Sequence, residues 1–183
     1  MHNQNLVVVD NVDKVIFQPD LFSANNRNIG IFGENGISNT TLLETIVAQA
    51  IQLNLPVTGL NISKTLESRF LKWQAETFTS SKASEVSDEV WGIDDDSDKG
   101  ANLINNFVVR ASQFDQAVMF FNDCTPLLKN PKISQYLSSL CANSTKYGLQ
   151  TILVAESDHD CSQKIIENIG TRFIVRQEKA SFE

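Results

Sequence analysis

Short apolar runs alternating with stretches of helical periodicity constrain this chain most. Ile29–Phe32 and Ala117–Phe121 are uninterrupted apolar segments, the kind a parallel sheet buries on both faces. From Thr40 the residues Leu42, Leu43, Ile46, Val47, Ala50 and Ile51 recur at helical spacing, with Thr and Glu on the opposite side. Val57–Asn61, Gln150–Ala155 and Arg172–Val175 read as further strands, and Leu6–Val9 and Val15–Phe17 as short ones ahead of them. Helices are expected over Ala101–Phe114, from about Lys132 to Tyr147, and around Ser162–Ile169. Strand and helix in alternation imply βαβ units, hence an α/β fold with helices on both faces of a mainly parallel central sheet.

A hydrophobic content of 42% over 183 residues is enough for one core, so the expectation is a single domain spanning residues 1–183. Residues 79–100, rich in Ser and Asp, read as a surface excursion. The formal net charge is -7. Nucleic acid is therefore not an expected partner, because the fifteen Lys and Arg are scattered and form no patch to offset that field. Cys124, Cys141 and Cys161 are far apart in sequence, form no CxxC pair and have only two histidines to assist them, which argues against zinc. Sparse cysteine and no apolar leader point to a reducing, cytoplasmic setting, and no window approaches the ~20 apolar residues of a membrane span.

The run Ile29–Phe32 leads into Gly33-Glu34-Asn35-Gly36-Ile37-Ser38-Asn39-Thr40-Thr41 and then into the helix. A strand, a glycine turn and a helix N-terminus form the frame of a phosphate loop, where backbone N–H groups converge on phosphate. Within that frame Ser38 replaces the second motif glycine and Asn39 stands where the lysine belongs. Asparagine carries no charge to offset the β- and γ-phosphates. Glu34 adds a negative charge nearby, and Thr40 alone keeps its expected identity, the magnesium-binding hydroxyl. The same residues admit a plainer reading: Gly33 and Gly36 make a tight turn, and Thr40 or Thr41 caps the helix.

The second apolar run ends in Asn122-Asp123, where a P-loop enzyme has Asp followed by Glu to hold magnesium and orient water. Asn122 is neutral and Asp123 is shorter than the glutamate, although an Asx residue at a strand end is also ordinary turn chemistry. Two altered frames in the expected order favour a RecA-like P-loop NTPase fold, a three-layer α/β/α sandwich.

Leu6-Val-Val-Val-Asp10, Asn28-Ile-Gly-Ile-Phe-Gly33, Leu42-Leu-Glu-Thr-Ile46, Met119-Phe-Phe-Asn-Asp123, the stretch Cys141 to Ala155 and Ile169-Gly-Thr-Arg-Phe-Ile-Val175 resemble the FtsK/SpoIIIE-type ATPases. They are most similar to the C-terminal module of the type VII secretion ATPases, the EssC/EccC class. The next resemblance is to conjugative and type IV secretion ATPases. The first resemblance implies a module of a membrane-anchored motor, partnered by secreted helical-hairpin proteins with a Trp-Xaa-Gly turn or by neighbouring modules in a ring. With the altered loop it implies a docking or assembly role, no catalytic residue, no resident metal or cofactor, and at most weak binding of ATP with magnesium. The alternative is an active ATP-binding module of a conjugative or DNA-translocating ATPase.

Other residues carry weaker signals. Glu156, in Glu156-Ser157-Asp158-His159-Asp160, follows a strand where P-loop ATPases keep a polar sensor, although loop capping explains the cluster better than a Ser/His/Asp triad. Asp94, Asp96 and Asp98 have the spacing of calcium-loop ligands, but Gly100 falls one place late and Asn105 replaces the closing glutamate. Arg172 and Arg176 are candidates for an arginine finger or for ordinary surface positions. Phe70, Trp73, Phe78 and Trp91 read as core before docking patch.

Overall fold

The computed structural model describes residues 8–9, 15–17, 28–34, 37–61, 85–87, 102, 104–105, 108–109 and 112–175. A two-stranded antiparallel pair, β1 (Val8–Val9) and β2 (Val15–Phe17), precedes the main sheet. Then come β3 (Asn28–Phe32), α1 (Ile37–Gln52), β4 (Val57–Asn61), β5 (Glu85–Ser87) and β6 (Ala117–Asn122). The chain continues through α2 (Thr125–Lys129), α3 (Pro131–Asn143), a 3-10 turn (Ser144–Tyr147) and β7 (Leu149–Ala155). A second 3-10 turn (Asp158–Asp160), α4 (Gln163–Glu167) and β8 (Thr171–Ile174) complete it. Asn102, Ile104, Asn105, Val108 and Val109 are also helical, within the helix expected over Ala101–Phe114.

Among the described residues the main sheet has six strands in the order β5-β4-β6-β7-β3-β8, and every pairing described in it is parallel. From β3 the chain crosses past β7 and β6 to β4, whereas from β6 to β7 and on to β8 it steps the other way. Right-handed crossovers therefore place α1 on one face and α2, α3 and α4 on the other. The core divides accordingly. Ile29, Ile31, Val118, Phe120, Ile152 and Val154 pack with Leu43, Ile46, Val47 and Ala50 of α1. The alternate residues Phe32, Met119, Phe121 and Leu153 pack with Leu137, Cys141 and Ile165. Leu43, Ile46 and Val47 are wholly buried, each contributing roughly 2 kcal/mol of apolar burial. The three layers are those expected, a RecA-like P-loop α/β sandwich.

Local chemistry explains the boundaries. α1 ends in a left-handed Asn54 (φ 58), with Leu55 N–H bonded to Ala50 O at 3.0 Å and Asn54 N–H to Ile51 O at 2.9 Å, a Schellman closure ahead of Pro56. The Asn130 side chain caps α3 by accepting from Lys132 N–H and Ile133 N–H, with Pro131 at the first helical position. Fully buried Asn28 ties three elements together: its Nδ2 donates to Cys141 O at 3.0 Å and Asn168 O at 2.8 Å, and its Oδ1 accepts from Thr151 N–H at 3.3 Å.

Several boundaries differ from expectation. α1 begins at Ile37, so Thr40 and Thr41 lie inside the helix and neither caps it. The long helix expected to reach Tyr147 tightens into the 3-10 turn at Ser144, closed by left-handed Gly148 (φ 64). Glu85–Ser87, inside the expected excursion, forms an edge strand along Thr58–Leu60. The remainder of 79–100, with Asp94, Asp96, Asp98 and Trp91, lies outside the described residues, as do Phe70, Trp73, Phe78, Gly36, Gly100 and Arg176. Among the described residues no helix is long and apolar enough to cross a membrane.

Candidate functional site

In an open parallel sheet the ligand crevice lies at the carboxyl ends of the strands where successive connections diverge. Here that point lies between β3 and β7, whose onward connections run in opposite directions. Gly33 leaves β3 at this crevice, with its N–H bonded to Ala155 O at 3.1 Å. On its other side Val175 N–H reaches Phe32 O at 2.7 Å. The packing there requires a glycine, since a Cβ on Gly33 would stand 2.6 Å from Val175 O and 2.9 Å from Asn39 Oδ1.

Asn39 lies in the first turn of α1 and is only 5% exposed. Its Nδ2 donates to Gly33 O at 2.8 Å, folding the side chain back onto the first glycine of its own loop. Its Oδ1 is buried without a hydrogen-bond partner. Thr40 is half-buried, Thr41 exposed, and the Thr41 carbonyl accepts the Thr45 hydroxyl at 2.8 Å. Ser38 is helical. Glu34 is exposed at the loop's entrance.

Asn122 closes β6 and is fully buried. By strand alternation it falls on the same face as Val118 and Phe120, the α1 face. The strand therefore aims its terminal polar residue to the side where α1 begins. The next residue, half-buried Asp123, adopts φ 51, a left-handed conformation that Asp tolerates better than most residues. Cys124 N–H then bonds Val154 O at 2.8 Å, and Thr125 Oγ1 accepts Glu156 N–H at 3.0 Å. The ends of β6 and β7 are thus laced together, and Glu156 projects from the laced end as an exposed carboxylate. The fold gathers Gly33, Asn39, Thr40, Asn122, Asp123 and Glu156 at one end of the sheet; Arg172, exposed on the edge strand β8, pairs with Gly30 well before the loop.

Sequence reasoning did not single out Thr125. The Thr-Pro pair at the start of α2 was the available signal, since proline favours the first helical turn. It also read the cysteines as distant, yet Cys124, Cys141 and Cys161 converge on one apolar cluster. Burial pushes the Cys141 and Cys161 thiols up to about 12 and raises Cys124 as well, so all three stay protonated at neutral pH. Among the described residues no group of His, Cys, Asp and Glu is arranged to hold a metal ion.

No family model matches the sequence, and no curated protein is related to it closely enough to match. Solved structures do match in shape. The monomer form of the pCW3 conjugation coupling protein TcpA with ATPγS superposes with a TM-score of 0.68 at 15% identity, over 96% of this chain and 55% of that one. The fold is that of the P-loop ATPases. ATPases 2 and 3 of Thermomonospora curvata EccC, in complex with a signal sequence peptide, give a TM-score of 0.61 at 16% identity, over 96% of this chain and 36% of that one. The cytoplasmic domain of EssC gives 0.65 at 13% identity, over 97% of this chain and 37% of that one. The resemblance to FtsK/SpoIIIE-type modules therefore holds as a likeness of fold. The chain spans about half of TcpA and roughly a third of the EccC and EssC chains.

Proposed function

We propose that this chain is a P-loop module of a protein-secretion motor of the type VII kind, acting in the cytoplasm, which docks a secreted protein or a neighbouring module and does not turn over ATP. The observation that carries this reading is Asn39, whose amide is engaged by the Gly33 carbonyl at 2.8 Å in the position of the phosphate-binding lysine. Neutral Asn122 at the end of β6 supports it, because a metal-side carboxylate is absent from the same crevice. Glu34 and Asp123 leave the site with carboxylates and no lysine, a donor set that does not fit the phosphates of ATP with magnesium. The docking role is supported by the fold shared with EccC ATPases 2 and 3, whose structure holds a signal sequence peptide.

Calorimetry with ATP and magnesium tests the inactive loop. No saturable heat is expected below ~1 mM, since such a Kd needs about 4 kcal/mol of favourable contacts. Saturable binding favours the second reading, an active ATP-binding module of the conjugative kind, for which the fold shared with ATPγS-bound TcpA speaks.

A further inference from the structure

We draw no further inference here: the strongest candidate, the cluster of Cys124, Cys141 and Cys161 at the junction of α2, α3 and the second 3-10 turn, is distinguished only by thiols whose pKa burial raises, which keeps them protonated and unreactive.

Discussion

Asn39 Nδ2 donates to Gly33 O at 2.8 Å, tying the residue in the lysine position to the first glycine of the loop that a lysine would open onto phosphate. Replacing it with alanine removes that bond and leaves a carbonyl beside a buried side chain. Asn39→Ala should cost about 1 kcal/mol, which for a chain of this size lowers the Tm by roughly 2–4 °C. Asn39→Lys should cost more, because the position is only 5% exposed and a charge there must give up its hydration. Thermal melts of the two variants side by side check the order. A lysine variant as stable as the parent would mean that the side chain escapes into an open crevice.

The close approach at Gly33 leads to a second expectation. A methyl group there would meet Val175 O at 2.6 Å, a backbone atom of the segment that follows β8. At Gly59 the added methyl would meet the Phe120 ring, which lies across it with Cζ at 2.3 Å. Backbone yields less readily than a side chain, but Phe120 is wholly buried and has no empty space to swing into. Both Gly33→Ala and Gly59→Ala should therefore destabilise by about 1–3 kcal/mol. Adding Phe120→Leu should recover part of the loss at Gly59 and none at Gly33, as read from denaturant midpoints.

Much of this fold was legible because apolar periodicity records burial directly. Ala117–Phe121 is apolar at every position since its two faces meet α1 and α3, and the helix through Leu43, Ile46 and Val47 displays its buried stripe openly. The loop frame at Gly33 and the strand end at Asn122 were legible for the same reason: both follow strands that were easy to find. What local pattern could not convey was long-range. Asn28 holds Cys141, Thr151 and Asn168 through a single amide, partners that no spacing rule connects. The Tyr136 hydroxyl likewise donates to Asn105 Oδ1, a partner 31 residues away in sequence. Glu85–Ser87 carries too little apolar character to read as a strand, and its place at the sheet edge explains why it needs little.

Asn28 is accordingly the side chain whose loss should be felt furthest. Asn28→Ala leaves Thr151 N–H and Asn168 O without the Asn28 partner that each has now, and takes one donor from Cys141 O, which keeps the Ser144 hydroxyl. At roughly 1 kcal/mol per lost bond, the total should approach about 3 kcal/mol, with a Tm lower by roughly 6–12 °C. Amide exchange should show where the effect falls: the Thr151 N–H should lose protection, while amides of α1, on the other face, keep theirs. A uniform loss of protection would show that Asn28 supports the whole domain and not the junction of β3, β7 and α4.

The buried thiols give the chain an alkaline limit. Cys141 is fully buried, and desolvation lifts its thiol from 9.0 to about 12, with Cys161 nearby as the smaller cause. A folded-state value above the unfolded one means that the native chain keeps a proton which the unfolded chain releases. The stabilisation is complete below about pH 9 and is lost as the pH climbs towards 12. Over that window a fully buried thiol should contribute a slope of roughly 1.4 kcal/mol per pH unit. Cys141→Ala should lower stability at pH 8 by opening a small cavity, yet flatten the decline between pH 9 and pH 11. Urea denaturation of both proteins at intervals across that range separates the two effects. Parallel slopes would show that Cys141 titrates as freely as it does in the unfolded chain, and that the cluster beneath α3 admits water.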